Sequence, residues 1–349
     1  MINKEYGSDF HYSLDTSIMT DGEQGSYFLS NHFSLHFSGR SALYAIIEKG
    51  IKSEGWQKLY LPSFYCHEVK HFLENLPITI CYYEFNPFID KENKDLEIAD
   101  INTIVIVNVD FFGLIKLSLV NYKNAIILDD QTHNLLEVKK STAAYCFGSL
   151  RKELPMPLGG FVFSPKNYPL PKYKHQTVSE EIALKKLTAM YLKKEYLEGN
   201  PEVDKNTFRN LFQSAECAFE IETTNSTLPE LAKAVLKQLD VDKIISIKES
   251  NLQLALLSLK DVSDIRVNLD KKNNAFGLIL ECESKETRDN LKNYLVEKKI
   301  FPAILWPNQL SPKDIETEGK ILFIHVDYRY NTKDILFITK TIKDFFDNE

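Results

Sequence analysis

A chain of 349 residues with 44% apolar and 26% charged residues is long enough for one large domain plus a smaller one, and it excludes disorder. The formal charge of −7, without a basic stripe, argues against nucleic acid as a partner. No apolar run reaches membrane length, the N-terminus (MINKEYGSDFHYS) has no signal-peptide pattern, and Cys66, Cys81, Cys146, Cys217 and Cys282 show no C-x-x-C spacing; a cytoplasmic protein with reduced thiols and no membrane partner is expected.

In chain order, residues 1–30 are polar and aromatic without periodicity. They read as an arm that packs on the smaller domain or a partner subunit. From about 36 to 165, short apolar runs alternate with helical patterns, as in an α/β sheet. Leu43, Ile46, Ile47 and Ile51 follow Ser38-Gly39-Arg40-Ser41 at helical spacing. A helix is therefore predicted from Ser41, its free amides either attracting an anion or closed by an ordinary N-cap. Leu59-Tyr60-Leu61 ends in a Pro62 turn.

His67-Glu68-Val69-Lys70-His71 is a literal H-E-x-x-H, which on a helix would set two histidines on one face for zinc, with Glu68 as base. Glu84, Glu92 and Glu97 sit in poor surroundings for a third ligand, so no metal site is assigned and a zinc metalloprotease stays as an alternative.

The most informative stretch follows. An apolar run from Ala125 to Leu128 closes in Asp129-Asp130, and another from Ala143 to Phe147 closes in Gly148-Ser149-Leu150-Arg151-Lys152. Gly159-Gly160 opens a third, Phe161-Val162-Phe163. Such runs read as buried strands of a covered sheet, in which function sits where strands end. An acid closing one strand and a lysine following the next are what a pyridoxal phosphate (PLP) site needs. The amine holds the aldehyde as a Schiff base, and the acid keeps the pyridinium nitrogen protonated. A lysine with a lowered pKa also serves as general base. The plainer account makes Asp130 a strand-end cap and Lys152 a solvated charge.

Beyond a loop at residues 166–176, helices are predicted from Ser179 to Leu197, Phe208 to Phe219 and Leu228 to Leu239. Then come an extended Ile265-Arg266-Val267, a strand from Phe276 to Leu280, a helix from Lys285 to Glu297, strands from Ile300 to Leu305 and Ile321 to Val326, and a helix from Thr332 to Phe346. The organisation expected is an arm over 1–30, a large domain over 31–225 and a small α+β domain over 226–349. Arg329, with Tyr330 beside it, is a candidate for gripping a substrate carboxylate through its fork; a salt bridge with Asp327 is equally open.

Leu128-Asp129-Asp130-Gln131-Thr132-His133, then Ser149-Leu150-Arg151-Lys152 and Pro155-x-Pro157-x-Gly159-Gly160, resembles the core of the DegT-like aminotransferases. Ser38 to Leu43 resembles that family's Gly-Thr-x-Ala-Leu helix start, Leu59 to Phe64 its strand-then-Pro turn, and Val107 to Gly113 its strand ending in aromatic-Gly. The resemblance covers residues 36 to 165. It implies a fold-type I PLP enzyme, with a mostly parallel mixed sheet sandwiched by helices and a small α+β C-terminal domain. It also implies a homodimer, and amino transfer from Glu or Gln to a nucleotide-linked keto-sugar.

Carried over, Asp130 is the pyridinium partner and Lys152 the Schiff-base lysine and proton shuttle. His133 stands at the family's Gln position near the ring hydroxyl, and Gly39, Arg40 and Ser41 anchor the phosphate. Phe147 replaces the family's serine, with Ser149 nearer the lysine. Cys66, flanked by Tyr65 and His67, stands where an aromatic stacks on the ring; which of the three covers it is left open. The Arg- and Asn-bearing segment crossing the family's dimer interface is not recognisable here. A non-catalytic binding module on the same fold is the remaining alternative.

Overall fold

The structure is a computed structural model that describes residues 4–13, 18–20, 26–221, 226–270 and 275–347. Parts of the arm expected over 1–30 lie outside these. The chain begins with β1 (Tyr6–Gly7), β2 (Phe33–His36), α1 (Gly39–Glu54), β3 (Lys58–Pro62), α2 (His67–Leu73) and β4 (Thr79–Tyr83). It continues through β5 (Ile104–Phe111), β6 (Ile115–Lys116), β7 (Ile126–Asp130), β8 (Tyr145–Ser149) and β9 (Gly160–Phe163). Helices α3 (Thr177–Glu198), α4 (Lys205–Ile221), α5 (Glu230–Gln238) and α6 (Val241–Leu259) follow. The last part holds β10 (Ile265–Val267), β11 (Leu278–Cys282), α7 (Lys285–Glu297), β12 (Ile300–Phe301), α8 (Pro312–Lys320), β13 (Ile321–Ile324) and α9 (Thr332–Phe346).

The strands of the first half form one sheet in the order β2-β9-β8-β7-β5-β3-β4, with β6 paired to β5. Neighbours from β4 through β3, β5 and β7 to β8 run parallel. β9 and β2 add antiparallel pairs at one edge. Every residue of β5 (IVIVNVDF) is buried, as a central strand covered on both faces requires. Because β3, β5, β7 and β8 are parallel, their C-terminal ends open on one edge and present Pro62, Phe111, Asp130 and Ser149 together.

Helix α1 starts at that same edge. Ser38 caps it by accepting from the Ser41 N–H at 3.1 Å, while Ser41 Oγ accepts from the Ser38 N–H at 2.8 Å. Gly39 and Gly160 bring the helix end close to the sheet. A Cβ on Gly39 would lie 3.1 Å from Ser149 Cβ, and one on Gly160 would lie 2.0 Å from the Ser38 carbonyl oxygen.

A three-stranded antiparallel sheet, β10-β11-β13, forms in the C-terminal part, with α6 and α7 against β11 and α9 against both helices. Its Leu278, Leu280 and Leu322 share one apolar cluster with Leu61, Val107 and Phe111 of the larger sheet. The arm reaches across: β1 pairs in parallel with β12, Tyr6 opposite Ile300 and Gly7 opposite Phe301. Helices α6 and α8 have no counterpart in the sequence reading. The strand expected from Ile300 to Leu305 stops at Phe301, with a bridge from Ala303 to Phe323, and the chain then turns at Trp306 (φ 47°) and Asn308 (φ 68°).

Candidate active site

Two adjoining cavities, of about 280 and 390 Å³, open over the C-terminal strand ends and share Cys66, Glu68, His133, Arg151, Lys152 and Trp306 in their walls. The inner one also holds Gly39, Arg40, Tyr65, Asp130, Thr132 and Ser149. The outer one is closed by Phe10, Phe212, Phe276 and Phe323.

Asp130 ends β7 and is buried, whereas Asp129 beside it turns away to Lys116 and Ser141, each at 2.5 Å. Burial raises the Asp130 carboxyl above the usual carboxylate range. Two donors oppose that shift: the Thr132 N–H reaches Oδ1 at 3.0 Å, and the Tyr65 hydroxyl reaches Oδ2 at 2.5 Å. The ends of β7 and β8 are tied together, since the Ser149 N–H donates to Thr132 Oγ1 at 3.2 Å and the Gln131 N–H to the Phe147 carbonyl at 2.8 Å.

Lys152 closes a 3-10 turn after β8 and faces both cavities. Its side chain is exposed to the cavity space, yet protein surrounds it. That enclosure, with the Arg151 guanidinium, lowers its pKa to about 8. Next to it, Glu153 is sealed in an ion pair with Lys248 of α6 and accepts from the Leu135 N–H at 3.0 Å. The lysine turn is thus fastened to the C-terminal part of the chain. Arg151 forks onto Glu216 of α4 at 3.1 and 3.3 Å, and Glu216 also pairs with Lys186 of α3. Arg40 lies 5.6 Å over the Phe72 ring, and burial lowers its pKa.

His133 is buried among Phe112 (ring centroids 5.1 Å apart), Phe276 (4.4 Å) and Trp306 (5.5 Å). Desolvation holds its pKa well below the usual histidine value, so it is neutral. Trp306 arrives from the turn after β12. Gln309 holds that turn, donating to the carbonyls of Tyr65 at 2.8 Å and Trp306 at 2.9 Å. Trp306, Phe276, Lys186 and Glu216 went unassigned in the sequence reading; of these, Trp306-Pro307 closing an apolar run was the one local signal.

Of the residues singled out from sequence, Gly39, Arg40, Tyr65, Cys66, Asp130, His133, Ser149 and Lys152 come together around the inner cavity. His67 lines the outer one. Ser41 lines neither, because its hydroxyl is used in the α1 capping box, where it also donates to the Ser38 carbonyl at 2.9 Å.

Arg329 and Tyr330 also line neither cavity. Arg329 pairs bidentately with Asp327 at 2.8 Å, and its remaining terminal nitrogen donates to the carbonyls of Gly7, Ser8 and Asp9. The Tyr330 hydroxyl accepts from the Gly7 N–H at 2.6 Å. Both residues hold the arm in place, so a substrate carboxylate finds no fork here. In the H-E-x-x-H segment, α2 does form, but the His71 side chain is 82% exposed and pairs with Glu74 at 3.0 Å. Among the described residues no group of three or more His, Cys, Asp or Glu could hold a metal ion.

No family model and no curated protein sequence matches this chain. Solved structures do. Spr1654 from Streptococcus pneumoniae, assigned as a sugar aminotransferase and solved in its PMP form, aligns over 98% of this chain and 97% of its own, at TM-score 0.63 and 12% identity. PseC from Helicobacter pylori, an aminotransferase of pseudoaminic acid biosynthesis, aligns over 99% and 100% at TM-score 0.60 and 13% identity. A DegT DnrJ EryC1 StrS aminotransferase from Brucella abortus aligns over 91% and 87% at TM-score 0.56 and 15% identity. The fold is therefore that of the fold-type I aminotransferases, as the sequence resemblance implied. Among the described residues no helix is long and apolar enough to cross a membrane.

Proposed function

We propose that the protein is a PLP-dependent aminotransferase, a divergent relative of the DegT-like sugar aminotransferases. One observation carries this reading: Asp130 and Lys152, from adjacent strand ends, face a single cavity beside the start of α1. The residues fit the cofactor. A buried carboxyl held by two donors suits a protonated ring nitrogen. The end of α1, pressed on Ser149 by Gly39 and flanked by Arg40, suits a phosphate. Bound there, PLP supplies an electron sink that lets an amino group leave one carbon and reach another.

The chain's own groups divide the remaining work. With a pKa of about 8, Lys152 carries a sizeable neutral fraction near neutral pH, available as nucleophile and then as the base that moves a proton. Asp130 accepts hydrogen bonds from Tyr65 and Thr132, which oppose the effect of burial on its charged form. Neutral His133 offers a hydrogen bond to a ring oxygen without adding charge. Phe112, Phe276 and Trp306 exclude water from one side. Cys66 lies on the wall of both cavities, with a thiol that burial raises.

The finer reading follows the family likeness. The donor is Glu or Gln, the acceptor a nucleotide-linked keto-sugar, and the working form a cytoplasmic homodimer with a large domain over 31–225 and a small one over 226–349. The test is the visible spectrum of the purified protein with added PLP, then borohydride reduction and peptide mapping. A yellow protein with a reduced adduct on Lys152, absent in Lys152→Ala, is the expected result. A folded protein without an adduct overturns the reading.

A further inference from the structure

The two tryptophans of the chain sit in opposite surroundings. Trp56 is 4% exposed and packs on α1 at Gly50, where an added Cβ would lie 2.0 Å from the indole. Trp306 is partly exposed and stands in the wall of both cavities. It reaches them through a costly backbone. Trp306 (φ 47°) and Asn308 (φ 68°) both occupy the left-handed region, which residues other than glycine rarely adopt. The turn persists because it is fastened on two sides. Ala303 exchanges both backbone bonds with Phe323, at 2.8 and 2.9 Å. Gln309 donates its amide to the Tyr65 and Trp306 carbonyls, and its N–H reaches Glu318 Oε2 at 3.0 Å. Strain held this firmly positions what the turn carries, and this turn carries an indole.

The wall of the inner cavity contains the rings of Tyr65, His133, Phe147 and Trp306. The first three are only 2%, 4% and 3% exposed. Tyr65 is committed through its hydroxyl to Asp130, His133 packs on Phe112 and Phe276, and Phe147 belongs to β8. Cys66, in the same wall, has no ring to offer. Among the described residues of that wall, Trp306 is therefore the aromatic side chain with surface left for a ligand. The indole rests on Phe112, with ring centroids 4.7 Å apart, and meets Tyr65 nearly perpendicularly at 5.4 Å. An aromatic ring set against another contributes beyond the area it covers.

We propose that Trp306, brought from the C-terminal part of the chain, lies against the ring of the bound cofactor and separates it from the outer cavity. This rests on the PLP reading of the inner cavity. Retention of the cofactor then depends on the turn that Gln309 holds as well as on the strand ends.

The test is PLP affinity by equilibrium dialysis for the parent protein, Trp306→Leu and Trp306→Phe, with the visible circular dichroism of the bound cofactor recorded for each. Trp306→Leu is expected to weaken binding about tenfold and to reduce the cofactor's dichroic band, and Trp306→Phe to stay within about threefold of the parent. Equal affinity and an unchanged band in folded Trp306→Leu overturn the proposal and leave the indole to the outer cavity. Should that variant fail to fold, hydroxyl-radical footprinting of the parent decides. PLP is expected to protect Trp306 several-fold and to leave the exposed Tyr191 unaffected; equal oxidation of Trp306 with and without PLP is the overturning result. A parent protein that binds no PLP is a separate outcome, which overturns the cofactor reading and this proposal with it.

Discussion

Burial raises the Asp130 carboxyl, and the hydrogen bonds from Tyr65 and Thr132 work against that shift. The phenol matters because its hydrogen bond favours the charged form. Tyr65→Phe is expected to raise the Asp130 pKa, weaken PLP about tenfold and move the acid limb of the cofactor's spectral pH profile upward, with the far-UV circular dichroism unchanged. Titration of cofactor absorbance across pH checks both; an unmoved limb would reduce Tyr65 to packing. That Asp130 and Lys152 lie at adjacent strand ends around one cavity was legible in the sequence because each follows a continuous apolar run, a signal contained within a few residues. Arg329 was legible in part. Its pairing with Asp327 was one of the two readings left open, but the carbonyls of residues 7–9 that take its remaining nitrogen lie too far along the chain to be announced nearby. Trp306 showed in the sequence only as the Trp306-Pro307 end of an apolar run; its place in the site is set by a turn that Gln309 holds, which has no periodicity to read.

Among the elements, α1 is the one whose placement decides the site. Its end is fixed by the Ser38–Ser41 capping box and by the absence of a side chain at Gly160. Gly160→Ala would drive a methyl group into the Ser38 carbonyl and push the helix start off the sheet. An expected cost of about 1–3 kcal/mol in urea denaturation, together with weakened PLP binding, follows from overpacking at that contact. A variant as stable as the parent that binds PLP equally well would show that the helix end tolerates the shift. The helix itself was foreseen from its apolar spacing, but α6 was not. Its buried face includes Lys248 and Asn251, which interrupt the apolar stripe. Both are satisfied at a distance: Lys248 by Glu153, and Asn251 by the carbonyls of Asp327 at 3.1 Å and Tyr330 at 2.9 Å.

The molecule as a whole carries an acid sensitivity. Burial lowers the pKa of His11 to about 3 and of His36 to about 4. An unfolded histidine titrates near 6.5, so the unfolded chain binds more protons below that pH, and stability rises with pH across this interval. The contribution is full above about 6.5 and is lost as the pH falls towards the folded values. His36 has no hydrogen-bond partner for either ring nitrogen among the described residues. His36→Leu should therefore flatten the stability profile between pH 6.5 and 4 by roughly 3 kcal/mol at most, measured by urea unfolding at each pH. An unchanged slope would mean that His36 is protonated in the folded protein. The broad fold was readable from sequence because the central strands are continuous apolar runs closed by polar residues; the expected alternation with helices holds only for α1 and α2, and no described α-helix stands between β4 and β9. What joins the two sheets was not, because those contacts link residues far apart in the chain.

The strap between β1 and β12 carries a consequence for assembly in time. Tyr6 reaches Asp334 at 3.3 Å, Gly7 reaches Tyr330, and Arg329 fastens the carbonyls just before Phe10, which lines the outer cavity. Residues 6–10 leave the ribosome long before the segment that receives them, and must wait unpaired while the rest of the chain emerges. The inner pocket, drawn mostly from residues 39–152, can take shape early. Its outer wall cannot take its final form until residues 329–334, which fasten the strap, have been made.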